Sequence, residues 1–205
     1  VIQINNTTST YETMSEDELT KLISETNAQV QKLEQRKNEL SSQLNALKDT
    51  ADKNEKAAEI AKQNAQINGI LSGRLAATGE GVVIRISQGS KQKIDSAILF
   101  TLLEELRNSG AEVIEINNVR VVTSTYISGT AGSLVCDGTK LKSPFTIRAI
   151  GDSDNLQNAV NLAGGVGSRL KVKYGATVSV SPSDKVMIKS TRQAPQYTYA
   201  HVIGQ

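Results

Sequence analysis

Residues 19–61 read LTKLISETNAQVQKLEQRKNELSSQLNALKDTADKNEKAAEIA, and their apolar side chains recur at alternating steps of four and three. With Leu19 placed at heptad position d, the d series is Leu19, Thr26, Leu33, Leu40, Leu47, Asn54 and Ala61. The a series is Ile23, Val30, Lys37, Leu44, Ala51 and Ala58. A helix keeps a stripe of period about 3.5 on one side only when it supercoils around a partner. The pattern therefore predicts a long helix that forms a coiled coil.

The predicted dimer seam is formed by the bulkier members of the two series. They are Leu19, Ile23, Val30, Leu33, Leu40, Leu44 and Leu47. Lys37 and Asn54 are polar interruptions, which reduce stability but help to fix register and strand number. The g–e′ pairs of a parallel dimer would contain no salt bridge, so charge does not specify the orientation. We expect a parallel homodimer, while an antiparallel pair and a solitary charged helix remain open.

Both ends of this helix carry recognisable signals. Ser15 suits the N-cap position, and Glu18 stands three residues later in the capping-box relation. No Pro or Gly follows until Gly69, and the segment Thr78-Gly79-Glu80-Gly81 is predicted to end the helix. The predicted organisation is a linker over 1–14, a coiled-coil helix over 15–77, a folded head over 78–190 and a tail over 191–205.

Composition narrows the classes of function that the chain can have. The 205 residues carry a formal charge of +2, and aromatic side chains make up 3%. This charge is too small to indicate a nucleic-acid partner, and two Phe residues cannot supply the aromatic platforms of an RNA-binding sheet. Cys136 is the only cysteine, so an intramolecular disulfide is excluded, and we expect it to be a small buried strand residue.

The head region alternates between strand and helix patterns. Strands are predicted at 82–86, 112–117, 119–127 and 144–150, with Asn117-Asn118 as a hairpin turn. A second hairpin is predicted at Asp137-Gly138, and a last one, between 178–180 and 186–188, around Pro182-Ser183-Asp184. Asp95 is predicted to cap a helix that ends at Gly110, and Asp154 a second helix.

The order of these elements matches a split βαβ plan, with an antiparallel sheet and both helices on one face. We therefore predict an α+β, ferredoxin-like head, whose open sheet face is a natural contact surface.

Two segments carry a family resemblance. Residues 103–121 read LEELRNSGAEVIEINNVRV, and residues 143–152 read SPFTIRAIGD. In this order behind a coiled coil, they resemble the YlxW/YlxX-like bacterial family, domain of unknown function 881. Relatives usually have Asn-Gly at the hairpin where this chain has Asn117-Asn118, which leaves the turn plausible.

The resemblance implies a location for the protein. In that family a transmembrane helix precedes the coiled coil, and the α+β domain lies on the extracytoplasmic face of the cell membrane. Members are associated with division and envelope gene neighbourhoods in Gram-positive bacteria, and no enzymatic activity is attached to them. We therefore expect an anchor upstream of this chain, which begins with Val1.

The same two segments supply the candidate ligand or partner residues. These are Asn117, Asn118, Arg120, Arg148, Gly151 and Asp152. Five of them also have a purely structural interpretation, which is turn chemistry for the two asparagines, a solvated or sheet-face charge for Arg120, strand-end geometry for Gly151 and, for Asp152 together with Asp154, capping of the second helix. The functional interpretation places Arg120 and Arg148 together as an anion site near the N-terminus of the second helix.

Signals for catalysis are absent from the sequence. One His and one Cys assemble neither a catalytic triad nor a metal cluster. Gly164-Gly165-Val166-Gly167 lacks the preceding strand and the Gly-Lys-Ser/Thr continuation of a phosphate loop, so it is interpreted as a helix breaker. No enzyme activity, cofactor or metal is expected.

Two functions remain. The first is a membrane-tethered structural and interaction protein, whose partner is an unknown envelope or division protein. The alternative is a ligand-sensing domain that binds a small anionic wall metabolite and transmits the change through the helix.

Overall fold

The computed structural model describes residues 15–204, so the predicted linker over 1–14 lies outside the described residues. The chain divides between Ala61 and Lys62 into two compact units. The helices are α1 (Glu16–Leu71), α2 (Ser96–Asn108), α3 (Ser153–Asn161) and α4 (Val166–Val172). The strands are β1 (Ala77–Ile86), β2 (Val113–Ile116), β3 (Val119–Val121), β4 (Ile127–Thr130), β5 (Ser133–Cys136), β6 (Thr139–Lys140), β7 (Phe145–Ile150) and β8 (Val178–Ile188). The protein is thus a mixed α+β chain with a long N-terminal helix.

The described part of the first unit, residues 15–61, is helical and begins at the predicted capping box. The Ser15 backbone N–H donates to Glu18 Oε2 at 2.9 Å, and the Glu18 N–H donates back to Ser15 Oγ at 3.4 Å. The hydrogen bonds from Ser15 lower the pKa of the Glu18 carboxyl, as expected for a carboxylate at a helix N-terminus.

The predicted seam residues lie on the surface of this unit. Leu33 and Leu47 are each 69% exposed, Leu44 is 52% and Leu40 is 49%. Ile23 and Val30 are also exposed, and Leu19 is half-buried. These side chains form an exposed apolar stripe along the helix. That a second helix covers this stripe in a coiled coil stays a prediction.

The second unit is built on a five-stranded antiparallel sheet with the order β3-β2-β7-β1-β8, and a smaller sheet has the order β4-β5-β6. Alternate residues of β1 (Val82, Ile84 and Ile86) face the apolar side chains of the three shorter helices in the main core. All three helices therefore pack on one face of the large sheet.

Local signals in the sequence predicted several features correctly. The Asp95 carboxylate accepts from the Ile98 N–H at 2.9 Å, and α2 buries an apolar face at helical spacing, formed by Ile98, Leu99, Leu102, Leu103 and Leu106. Asn117 and Asn118 have φ values of 45° and 63°, while Asp137 and Gly138 have 46° and 85°. Both hairpin turns are confirmed, because these residue types tolerate a positive φ. Cys136 is buried and free.

Other boundaries were predicted wrongly. Helix α1 ends at Leu71, and the predicted terminator Thr78–Gly81 belongs to the first strand instead. The hairpin predicted around Pro182-Ser183-Asp184 is a single strand, β8, which follows β1 along its length with an irregularity between Gly79 and Gly81. The strand predicted over 119–127 is confined to β3. Of the two aspartates predicted to cap α3, Asp152 occupies the N-cap and Asp154 lies inside the first turn. Long-range pairing with β1 overrode the local turn signals.

Candidate functional site

One row of side chains crosses the sheet on the face opposite the helices. Register pairs Glu115 on β2 with Arg120 on β3 and with Arg148 on β7, and Arg148 with Val83 on β1. Residues that are paired directly across antiparallel strands project to the same side. Val83 alternates with the core residues Val82 and Ile84, so the row lies on the open face.

Arg120 is the most buried charged residue of this row, at 2% exposure. Its Nη1 donates to the Leu75 carbonyl at 2.9 Å and to the Ser190 carbonyl at 3.0 Å, and its Nη2 donates to the Ile70 carbonyl at 3.0 Å. The guanidinium thus binds the Ile70 carbonyl in the last turn of α1, which also accepts from the Gly73 N–H at 3.0 Å just beyond the helix. We call Arg120 with these three carbonyls the arginine knot.

The space around the knot is filled closely. Gly73 has a φ of +74°, and a Cβ there would lie 2.7 Å from Val122 Cγ1 and 3.2 Å from Arg120 Cγ. Its carbonyl accepts from the Arg192 N–H at 2.7 Å, and Arg192 forms a 2.9 Å ion pair with Asp137. Burial lowers the pKa of the Arg120 guanidinium, and the charge of Glu115 opposes this effect. An arginine stays charged even so.

Glu115 stands between two guanidinium groups. It is 3% exposed, and its Oε2 accepts from Arg148 Nη1 at 2.9 Å. A buried carboxylate needs such a partner, since its desolvation would otherwise be costly. Arg148 is itself one-third exposed. The buried acid therefore holds the Arg148 guanidinium through Nη1, while the Arg148 side chain remains accessible to solvent.

Beside Arg148 the open face forms a shallow cleft of about 460 Å³. We call it the open-face cleft. It is lined by Val83, Glu115, Asn118, Arg148, Ser183, Lys185, Val186, Met187 and Lys189. Three cations and one carboxylate thus share this lining, together with an amide, a hydroxyl and apolar side chains.

Of the six candidate residues, Asn118 and Arg148 line the open-face cleft. Asn117 stabilises its turn instead, because its Nδ2 donates to the Lys142 carbonyl and its Oδ1 accepts from the Thr146 N–H, each at 2.8 Å. Arg120 lies on the same face but is committed to the arginine knot. Its role as a ligand contact stays an untested prediction.

Gly151 and Asp152 lie at the start of α3, away from the cleft lining. Asp152 accepts from the Asn155 N–H at 2.8 Å as an N-cap. Gly151 donates its N–H to the Glu80 carbonyl at 2.9 Å, and a Cβ on it would come within 2.9 Å of the Gly110 carbonyl oxygen. Both residues therefore have clear structural roles. Their contacts described above do not involve Arg120 or Arg148, which were predicted to form an anion site at this helix terminus.

Sequence reasoning missed Glu115, Lys185 and Lys189. A signal for Glu115 was present, since it alternates with Ile114 and Ile116 and so belongs on the face opposite the core. The two lysines were missed because β8 was divided into a hairpin.

Other ionisable groups are explained by packing. The Tyr174 hydroxyl donates to Asp95 Oδ2 at 2.7 Å, and burial together with this bond raises the pKa of Tyr174 to about 12. Burial raises the pKa of the Cys136 thiol to about 11. Within residues 15–204 no cluster of three His, Cys, Asp or Glu side chains is arranged to hold a metal. Over the same range, no helix combines the length and apolarity required to cross a bilayer.

Comparison with known proteins identifies the family. A family model described as a bacterial protein of unknown function, DUF881, matches residues 64–201, which is more than half of the chain. The chain belongs to the DUF881 family. This DUF881 match contains every residue that lines the open-face cleft and the whole arginine knot.

Two curated relatives of this DUF881 chain come from different bacteria. UPF0749 protein Rv1825 of Mycobacterium tuberculosis is 34% identical over 169 residues, which cover 80% of this chain and 57% of the relative. UPF0749 protein YlxW of Bacillus subtilis is 30% identical over 126 residues, which cover 57% of this chain and 54% of the relative. The chain thus spans just over half the length of the curated relatives it matches.

One solved structure is similar to the DUF881 chain. It is the crystal structure of an uncharacterized conserved protein from Mycobacterium tuberculosis, with a TM-score of 0.62 and 35% sequence identity. The match covers 68% of this chain and 99% of that one. The likeness supports a shared architecture for the matched part.

Proposed function

We propose that this DUF881 protein is a non-enzymatic, membrane-tethered interaction protein on the extracytoplasmic face of the cell membrane. Two copies pair through α1, an anchor upstream of this chain holds the pair at the membrane, and the heads engage an envelope or cell-division protein. Within this proposal the head is ferredoxin-like. The support is its strand order, in which β7 lies between β1 and β2 and β1 lies between β7 and β8.

The observation that carries the proposal is the exposed apolar seam of the first unit. Leu33, Leu40, Leu44 and Leu47 each leave about half or more of their surface in water, at heptad spacing. Burying a leucine side chain is worth roughly 1.5–3 kcal/mol, and contiguous exposed apolar surface marks an interaction site. A second copy is the natural occupant, because it presents the same a and d side chains at the same spacing for knobs-into-holes packing.

The test of pairing is the molar mass of the full chain in solution, measured by sedimentation equilibrium from low to high micromolar concentration. We expect a mass twice the 22.0 kDa of one chain. The double substitution L40N/L44N should shift the protein toward monomer. The matched control Q35N/S42N changes two residues at heptad position f, outside the seam, and should remain dimeric. A wild-type monomer throughout this range would overturn the proposal.

Orientation and tethering need separate measurements. Lys37 occupies an a position, so K37C should form an intermolecular disulfide in a parallel dimer and fail to form one in an antiparallel dimer. Tethering is tested on the complete natural protein in its own host, by membrane fractionation and by protease added outside intact cells. Recovery of the complete protein in the soluble fraction would contradict the tethering part of the proposal.

A further inference from the structure

The lining of the open-face cleft carries an excess of positive charge. Arg148, Lys185 and Lys189 contribute three cations, and Glu115 is the one carboxylate. That carboxylate is almost fully buried and already paired with Arg148 at 2.9 Å. Among the ion pairs of the described residues, none involves Lys185 or Lys189. The lining therefore has a formal excess of two positive charges.

The chemistry of the remaining lining indicates what could occupy this space. Asn118 supplies an amide, and the Ser183 hydroxyl oxygen accepts from the Lys185 N–H at 3.1 Å, which leaves its proton free to donate. Val83 and Val186, which pack together in a small apolar cluster, supply an apolar wall. Small-molecule sites commonly combine such apolar surface with a few convergent polar groups, in volumes of roughly 300–1,000 Å³.

We propose that the open-face cleft binds a small soluble organic phosphate, with the phosphate at the cations and the organic part against the apolar wall. A phosphate monoester carries a charge of about −1.5 to −2 at neutral pH, which balances the excess charge of the lining. A monocarboxylate would balance only half of it. Lysine serves as a point charge for phosphate, and arginine adds directional donors.

Glu115 is the positioning residue of this site. It holds Arg148 through Nη1, so the remaining N–H donors of the guanidinium keep a fixed direction. Arg120, on the other side of Glu115, places a second positive charge next to the acid within the sheet. Such preorganisation improves affinity because less side-chain freedom is lost on binding.

This inference is independent of the proposed function. Its test measures ligand binding by the head, whereas the test of pairing measures the mass of the chain. A monomeric protein that binds the phosphate would overturn only the proposed function. A dimer that binds no phosphate would overturn only the phosphate site.

The probe is phenyl phosphate, which combines the dianion with an apolar ring. The ¹⁵N-labelled full chain is titrated at constant ionic strength, with benzoate and inorganic phosphate in parallel. We expect amide shifts confined to the segments around Glu115, Arg148 and 181–189. Binding should be tighter than for benzoate, which has the ring with a single charge, and than for inorganic phosphate, which lacks the ring.

The variant K185Q/K189Q removes both free cations of the cleft. It should weaken phenyl phosphate binding by about tenfold or more, since each close charge pair in water is worth about 1 kcal/mol. The matched control K140Q/K171Q changes two exposed lysines that do not line the cleft and should leave the affinity unchanged. E115Q tests the positioning role of Glu115. If Arg148 orients the bound ester, this variant should weaken the binding of phenyl phosphate more than the binding of inorganic phosphate.

Three outcomes would overturn the proposal. The first is the absence of shifts at millimolar phenyl phosphate. The second is equal weakening by the cleft and control variants, which would indicate a general charge effect. The third is binding to vesicles of anionic lipid that K185Q/K189Q abolishes, without binding of the soluble phosphate, since the surface would then be a membrane contact.

Discussion

Replacement of Arg120 by methionine tests the arginine knot. R120M keeps a long, flexible side chain of similar reach but removes the charge and every donor. The carbonyls of Ile70, Leu75 and Ser190 then lose their bonds of 2.9–3.0 Å, and Glu115 loses one of its two neighbouring cations. We expect the junction between the end of α1 and the sheet to loosen first.

The magnitude follows from burial. Arg120 is 2% exposed, so water cannot replace the lost donors without opening the structure. Hydrogen bonds to charged groups contribute about 1.5–3 kcal/mol each, although not additively, and R120M removes three of them together. We therefore expect R120M to lower the free energy of unfolding by about 3–5 kcal/mol. With a urea dependence of about 2 kcal/mol per molar, the unfolding midpoint should fall by about 2 M.

The assay is urea unfolding followed by near-ultraviolet circular dichroism, which reports on the buried Tyr174 rather than on the long helix. Hydrogen exchange locates the effect. The amides of Leu75 and Arg192, which donate to Gly69 and Gly73 in this junction, should exchange faster in R120M. R120K keeps the charge but loses the planar fork, so its midpoint should lie between those of wild type and R120M.

The matched control is R85M, because Arg85 is an exposed arginine on the same face of the sheet. Exposed substitutions of this kind usually change stability by less than about 0.5 kcal/mol. If R120M and R85M shift the urea midpoint equally, or if the Arg192 amide keeps its protection in R120M, the knot does not stabilise the junction and the reasoning fails.

Three further predictions concern packing and ionisation. G81A should lower the free energy of unfolding in urea by about 2–3 kcal/mol, because its Cβ would lie within 1.9 Å of the Ala149 carbonyl oxygen. G110A has nothing within 4 Å of its Cβ but a φ of +91°, so it should cost only about 1 kcal/mol. Equal losses in the two variants would contradict the steric argument. Cys136, with its pKa raised to about 11, should resist a thiol reagent at pH 8 until urea unfolds the head, and rapid native labelling would count against its burial. Tyr174 has its pKa raised to about 12, so its protonated hydroxyl stabilises the fold fully below the ordinary tyrosine pKa near 10. This contribution should be lost as the pH rises from about 10 through about 12. The stability of Y174F should not fall in this pH range for this reason, and a pH dependence equal to that of wild type would refute the assignment.

The parts of the fold that could be predicted from sequence are those fixed by neighbours along the chain. The turn at Asn117-Asn118 and the cap at Asp95 depend on residues within four positions, and both are confirmed. The extent of β8 depends on its partner β1, about a hundred residues earlier, and here local reasoning failed. Pro182 suggested a turn, yet a proline is tolerated in a strand at the edge of a sheet, where β8 lies.

The candidate site could be predicted only in part for the same reason. Arg148 and Asn118 were selected from motifs and lie in the cleft, whereas Lys185 and Lys189 join it only once β8 is a single strand. Arg120 was correctly placed on the sheet. Its burial could not be predicted, because the chain that covers it comes from residues 70–75 and from Ser190, at opposite ends of the head.

Arg120 also affects the charge of the cleft, although it does not line it. Its hydrogen bonds go to three carbonyl groups, which are dipoles and do not cancel its charge. The nearest opposing charge on the paired strand is Glu115, and that carboxylate is shared with Arg148. One acid therefore stands against two arginines, and the cleft beside them stays more positive than its exposed residues alone would make it. The residue that ties the end of α1 to the sheet thus also strengthens the attraction of the open face for anions, so R120M should weaken phenyl phosphate binding even at temperatures where the variant remains folded.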